Sequence, residues 1–154
     1  MNNKQIAFLS VAIFAIAVDQ TVKFIIDTTV QLNQNILLIK NILSLDKLYN
    51  SGAAFSILQN HTYLLILIAL LAILSITGYV FNKASKFNLS EAISLGFIVG
   101  GATGNLIDRL FHNYVIDFIQ FDFINFPVFN FADIFINIGV IILLISILIL
   151  KNDK

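Results

Sequence analysis

The sequence predicts an all-α membrane protein, four transmembrane helices carrying a small β-rich element on the extracytoplasmic side. Three observations lead there. Hydrophobic residues make up 58% of the chain and charged residues only 12%, whereas a soluble domain carries about a quarter charged residues. Four stretches have the roughly 17–25 apolar residues that a helix needs to cross a bilayer. The basic residues between them are distributed unevenly, as a fixed orientation requires. At 154 residues the chain is read as one domain, 1–154.

The first span is expected at about 6–26. It is purely apolar through Val18, and Asp19 and Lys23 appear near its far end. A cleaved signal peptide is disfavoured because no small-residue cleavage site follows Val18. Spans two and four, 62–81 and 134–150, carry no charge, and span three, 92–111, is apolar until Asp108 and Arg109. Lys4, Lys83, Lys86, Lys151 and Lys154 fall on one side, against Lys40 and Lys47 on the other. The richer side is read as cytoplasmic, with both termini inside. The connections 27–61 and 112–133 then lie outside. Residues 36–48 mix apolar pairs with Asn41, Ser44 and Asp46, a pattern of short strands at the membrane surface. Residues 114–131, dense in Phe, Ile and Val around Pro127, are read as packed on the membrane.

Several chemistries are excluded or disfavoured. The chain has no Cys, which removes disulfides, thiolate metal sites and a Cys nucleophile. His61 and His112 lack metal-ligand spacing, and no structural metal site is expected. No G-x-S-x-G occurs. Gly100–Gly104 sits inside a predicted span and lacks the Lys of a phosphate-binding loop. Zero net charge gives no field for nucleic acid.

What remains is a set of carboxylates. Asp19, Asp108, Asp117 and Asp133 all fall near the outer face, and ionisable groups at membrane depth are costly and usually functional. Asp19 and Lys23 are four apart and share a helix face, so they can pair in a supporting role. Asp108 and Arg109 point in different directions and need separate partners; Arg109 could equally snorkel to the headgroups. Gly96, Gly100 and Gly104 repeat every four residues, a spacing that lets helices approach closely. Asn105, beside Gly104, needs hydrogen-bond partners at this depth. Asp117 lies in Val-Ile-Asp-Phe-Ile, where it is poorly solvated unless the loop turns it to water. Asp133 stands where an N-cap of the fourth span would. Two carboxylates held close share a proton. The ionised one can activate water, and the protonated one can donate to a peptide carbonyl. Sequence spacing alone does not bring Asp117 and Asp133 together.

Five blocks, in order, resemble the lipoprotein signal peptidases (signal peptidase II). They are Asp19-Gln20-Thr21-Val22-Lys23, Asn50-Ser51-Gly52-Ala53-Ala54-Phe55, Gly100 through Arg109 (GGATGNLIDR), Val115 through Ile119 (VIDFI), and Phe129-Asn130-Phe131-Ala132-Asp133 with Ile136 and Gly139 following. The resemblance implies an aspartic-type endopeptidase of the bacterial cytoplasmic (inner) membrane, with its active site near the outer leaflet. Its substrate would be a prolipoprotein bearing a diacylglyceryl-modified lipobox Cys, cut just before that Cys. The resemblance further implies inhibition by globomycin, contact with membrane lipids, and no cofactor. The catalytic pair would be Asp117 and Asp133. Asp19, Lys23, Asn50, Gly52, Gly104, Asn105, Asp108, Arg109, Asn130 and Ala132 would bind substrate or support the site. One position departs from the pattern: Ile134, where the family more often has a small or polar residue, cannot hydrogen-bond, so polar support for Asp133 must come from elsewhere. Two other classes remain to be weighed. A carboxylate-relay carrier would spread its acids through the membrane depth, and a scaffold would tolerate Asp117→Asn and Asp133→Asn.

Overall fold

The computed structural model describes residues 1–53, 57–83 and 86–148. Ala54 and Phe55 of the second block, the end of the fourth span at 149–150, and Lys151 and Lys154 lie outside the described residues. The order is α1 (Asn3–Thr29), β1 (Asn35–Ile39), β2 (Leu43–Asn50), α2 (Thr62–Asn82), α3 (Leu89–His112), β3 (Val115–Phe121) and α4 (Phe131–Leu148).

The helices start where capping chemistry is encoded. Asn2 and Gln5 bond reciprocally at the head of α1, and Asn88 and Glu91 do the same for α3, each pair satisfying orphan N–H groups of the first turn. Among the described residues three helices, α1, α2 and α4, are long and apolar enough to cross a membrane. The sequence predicted four spans. The remaining helix, α3, has 24 residues, about 36 Å at 1.5 Å per residue, but it holds no span-length stretch as apolar as theirs. Its place in the bundle gives the reason. It packs against all three other helices, most extensively α1 and α4, so much of its surface meets protein. The outer helices expose Leu67, Leu71 and Leu74 of α2 and Ile141, Leu144 and Ile145 of α4, a surface suited to lipid tails.

Small residues bring these helices together. A Cβ on Gly96 would lie 2.7 Å from the Phe8 carbonyl of α1, and one on Gly100 would lie 2.7 Å from the Ala15 Cβ. On the other flank, a Cβ on Gly139 of α4 would lie 2.6 Å from the Ser94 carbonyl of α3. Glycine is required at these points because the neighbouring backbone occupies the space a side chain would need.

The three strands form one antiparallel sheet in the order β1-β2-β3. Strands at 36–48 were expected, and β1 and β2 cover them. The strand β3 was not; its unbroken Val-Ile-Asp-Phe-Ile run lacks the alternation of a half-exposed strand, because residues Val115–Phe118 are all buried. Ile116 and Phe118 pack with Ile26 and Val30 of the α1 end, flanked by Leu45 and Phe131. This cluster seats the sheet on the bundle. Lys47 pins it there: its buried ammonium lies 2.8 Å from Asp27 Oδ1 and donates to the Asp27 and Val30 carbonyls at 2.8 and 3.0 Å. Counted from the sequence only as a loop charge, Lys47 is 4% exposed and holds the carbonyl end of α1, where a cation is favoured.

Candidate active site

One buried ion cluster joins four elements. Lys23 Nζ lies 2.9 Å from Asp19 Oδ2 and 2.9 Å from Asp108 Oδ2, and donates to Asn105 Oδ1 at 2.9 Å. Its three N–H bonds are thereby all used. The residues Asp19, Lys23 and Asp108 are 0%, 2% and 2% exposed. The Asp19–Lys23 pair was legible from spacing. From the strand β3, the Ile116 amide donates to Asp108 Oδ2 at 3.1 Å. Asp19 Oδ1 accepts from the Ala132 N–H at 2.8 Å, so an acid on α1 serves the N-terminus of α4, where free N–H groups favour an anion. Gln20 joins the cluster although the sequence analysis names no role for it. Its amide donates to Asp108 Oδ1 at 2.9 Å, to the Gly104 carbonyl at 3.1 Å and to Asp19 Oδ2 at 3.2 Å. A Gln beside Asp19 at membrane depth was the available signal.

Gly104 faces this cluster. A Cβ there would collide with the Asp19 carboxylate and sit 3.5 Å from the Ala132 Cβ. Gly104→Ala is expected to lower stability by about 1–3 kcal/mol, the usual cost of overpacking. A thermal melt of the purified variant in detergent, unchanged from the parent, would contradict this.

Three asparagines carry the network to Asp117 and Asp133. Asn130 donates through Nδ2 to Asp117 Oδ1 at 2.7 Å and to Asn105 Oδ1 at 3.0 Å. Asn105 donates through Nδ2 to Asp133 Oδ1 at 2.9 Å. Asn50 donates to Asp117 Oδ2 at 2.8 Å, while its own Oδ1 accepts from the Gly52 N–H at 2.9 Å. Each amide has its oxygen on a donor and its nitrogen on an acceptor, which fixes its orientation.

Asp133 is not the N-cap of α4. Asn130 is: the Asp133 N–H donates to Asn130 Oδ1 at 3.0 Å, and the Asn130 N–H returns to Asp133 Oδ2 at 3.2 Å. The helix starts three residues earlier than 134 because Asn130 and Asp133 form this reciprocal cap. Asn105 and the Asn130 N–H supply the polar support that Ile134 cannot. Nor is Asp117 a loop acid turned to water; it is 4% exposed on β3. Arg109 does not snorkel outward. Its guanidinium donates to the Gly52 carbonyl at 2.9 Å and the Asn105 carbonyl at 3.3 Å, tying the loop after β2 to α3.

Asn50, Asn105, Arg109, Asp117 and Asp133 all line one cleft of about 990 Å³. It continues over apolar residues of α4 (Ile134, Ile138, Ile141) and of the segment before it (Phe126, Phe129). The Asp117 carboxyl is pushed up from 3.8 to about 7, first by burial and then by the charge of Asp133, against the hydrogen bonds from Asn50 and Asn130. It therefore exchanges its proton near neutrality. Asp117 binds that proton more tightly in the folded chain than in the unfolded one. Its contribution therefore makes stability fall as pH rises from about 4 to about 7 and level off above.

A helical bundle with a carboxylate-lined cleft under a small sheet is the frame of a membrane enzyme. Two solved bacterial membrane enzyme structures, obtained by the in meso method at 2.3 and 1.9 Å, share it with TM-scores of 0.87 and 0.82, each at 32% identity. The first match covers 96% of this chain and 90% of the other; the second covers 92% of each.

The chain belongs to the signal peptidase II family, whose model, described as Signal peptidase (SPase) II, matches residues 11–149. Relatives bearing the name lipoprotein signal peptidase include one from Streptococcus thermophilus, 41% identical over 138 residues (89% of this chain, 90% of the relative). Those from Streptococcus agalactiae and Listeria monocytogenes are 42% and 38% identical, covering 89% and 90% of this chain and 88% and 91% of their own lengths. The family resemblance read from the five sequence blocks is thus established.

Proposed function

We propose that this chain is a single membrane peptidase domain that removes signal peptides from diacylglyceryl-modified prolipoproteins, cutting before the lipidated Cys with Asp117 and Asp133 as an aspartyl dyad. The observation that carries the reading is that Asn130 hydrogen-bonds both carboxylates, through its side chain and its own N–H, while both line one cleft. Each carboxylate oxygen accepts one hydrogen bond from the described residues, which leaves a second lone pair on each for water or substrate.

In this mechanism the dyad shares one proton. The ionised carboxylate takes a proton from water, whose oxygen attacks the peptide carbonyl carbon. The protonated carboxyl donates to the carbonyl oxygen, giving a tetrahedral diol. Its collapse breaks the C–N bond, and a proton passes to the leaving amine of the lipidated Cys. Arg109, Asn50 and Gly52 hold the loop after β2 beside the cleft, and the Asp19–Lys23–Asp108 cluster holds Asn105. The apolar walls suit an acylated residue that remains in the bilayer. In this reading α3 is the fourth span, sheathed by the others. The sheet end faces outward at the outer leaflet of the cytoplasmic membrane, with both termini cytoplasmic.

The test is cleavage in detergent of a prolipoprotein with and without its diacylglyceryl group, and with globomycin. Cleavage of the lipidated form alone, blocked by globomycin, is expected. A folded chain that leaves the lipidated form intact would overturn the reading. Because Asp117 loses its proton near 7, kcat/KM is expected to fall as pH rises through about 7. A flat profile from pH 6 to pH 9 (~3 units across the transition) would contradict the shared-proton mechanism.

A further inference from the structure

We propose that Asn137 binds the backbone of the substrate segment immediately before the bond that is cut, an assignment that rests on the peptidase reading above. From Asp133, α4 runs away from the sheet along the bundle. Asn137 lies one turn further, about 6 Å along the axis, exposed and lining the same cleft. Between Asp133 and Ser146 every other residue of α4 is apolar or glycine. Ser146 is buried and accepts from Asn88 at 2.9 Å, so its polarity has a structural use. Asn137 has only a bond to its own helix: Nδ2 donates to the Asp133 carbonyl at 2.9 Å. That uses one of its two N–H bonds and leaves Oδ1 without a partner among the described residues. An amide left open on an otherwise apolar helix face at membrane depth is costly unless something pairs with it.

An incoming signal segment supplies the missing partner. To place a peptide bond between two carboxylates it must unwind locally, and the freed N–H and C=O groups find no water in the bilayer. An Asn side chain offers the acceptor and donor of a peptide group, so it can satisfy a peptide unit from both sides. Asn137 lies on the bundle side of Asp133, away from the sheet. A segment still anchored in the membrane reaches the dyad from that side. The peptide unit served therefore belongs to the residues preceding the cut.

The experiment compares the native chain and Asn137→Leu, a shape-matched change suited to lipid, on a diacylglyceryl-modified prolipoprotein peptide. The same peptide is also made with a single N-methylated bond at each of the three residues before the cut. KM is expected to rise roughly tenfold in the variant, the scale of one net hydrogen bond, with kcat little changed and the melting temperature not lowered. One N-methylation should weaken cleavage by the native chain but not by the variant, and this non-additivity is the signature of direct pairing. Asn137→Gln should recover part of the loss. A variant with native KM, or additive effects at all three bonds, would overturn the assignment. If the native chain itself cleaves none of these peptides, the peptidase reading fails, and the assignment falls with it.

Discussion

Asp133→Asn and Asp117→Asn are each expected to lower the rate of prolipoprotein cleavage by roughly 10³-fold or more, since under the proposed mechanism each removes a proton-transfer group. Both variants should remain folded. Asp117 accepts from Asn50 and Asn130, and Asp133 from Asn105 and the Asn130 N–H. An Asn at either place turns one NH2 toward a donor whose orientation is locked, losing about one hydrogen bond, on the order of 1 kcal/mol. At Asp117 the loss is offset by removal of a carboxylate that burial disfavours. The check is a cleavage time course beside a thermal melt in the same detergent. A folded variant retaining more than about a tenth of the native rate would remove that carboxylate from the chemistry, because general acid–base groups contribute at least about 10²-fold.

Lys23→Met should be the most destabilising single change in the bundle. It keeps the length of the side chain but leaves Asp19 and Asp108 buried without their shared cation. Removing one partner of a buried ion pair costs about 3–5 kcal/mol, which corresponds to a melting shift on the order of 10 °C for a chain of this size. Lys23 also holds Asn105 Oδ1, and Asn105 in turn holds Asp133. Activity should therefore fall even at temperatures where the variant is folded. Lys23→Arg is not expected to rescue it, because a planar guanidinium cannot take the place of a compact ammonium bonded in three directions. A Lys23→Met chain that melts within about 2 °C of the parent would mean that the cluster is not stabilising in the membrane.

The helices were legible because each carries a long, mostly apolar run, and the predicted 6–26, 62–81 and 92–111 lie within α1, α2 and α3, although only the first two of these helices are apolar enough to cross a membrane. The pairing of Asp19 with Lys23 was legible because four residues return to the same helix face. The helical start at Phe131 was not, since Asp133 looks like a cap until Asn130 is seen to bond its N–H. The strand β3 was hidden for a related reason: burial of successive residues removes the alternation by which a strand is recognised. Lys47 read as a surface charge, and only the seating of the sheet on α1 shows it to be a buried clamp.

By itself the sequence determined a lipid-dwelling helical chain, its family, and which polar residues must be accounted for. Apolar runs and short motifs are local properties that need no partner to be read. The tertiary structure decided which polar groups meet. Asp117 lies on a strand, Asp133 on a helix, Asn105 on another helix and Asn50 across the sheet. Only the close approach permitted by the glycines of α3, and the docking of the sheet on the ends of α1 and α4, brings them to hydrogen-bond distance. A hydrogen bond between residues far apart in sequence depends on how the chain packs, and no spacing along the chain encodes it directly.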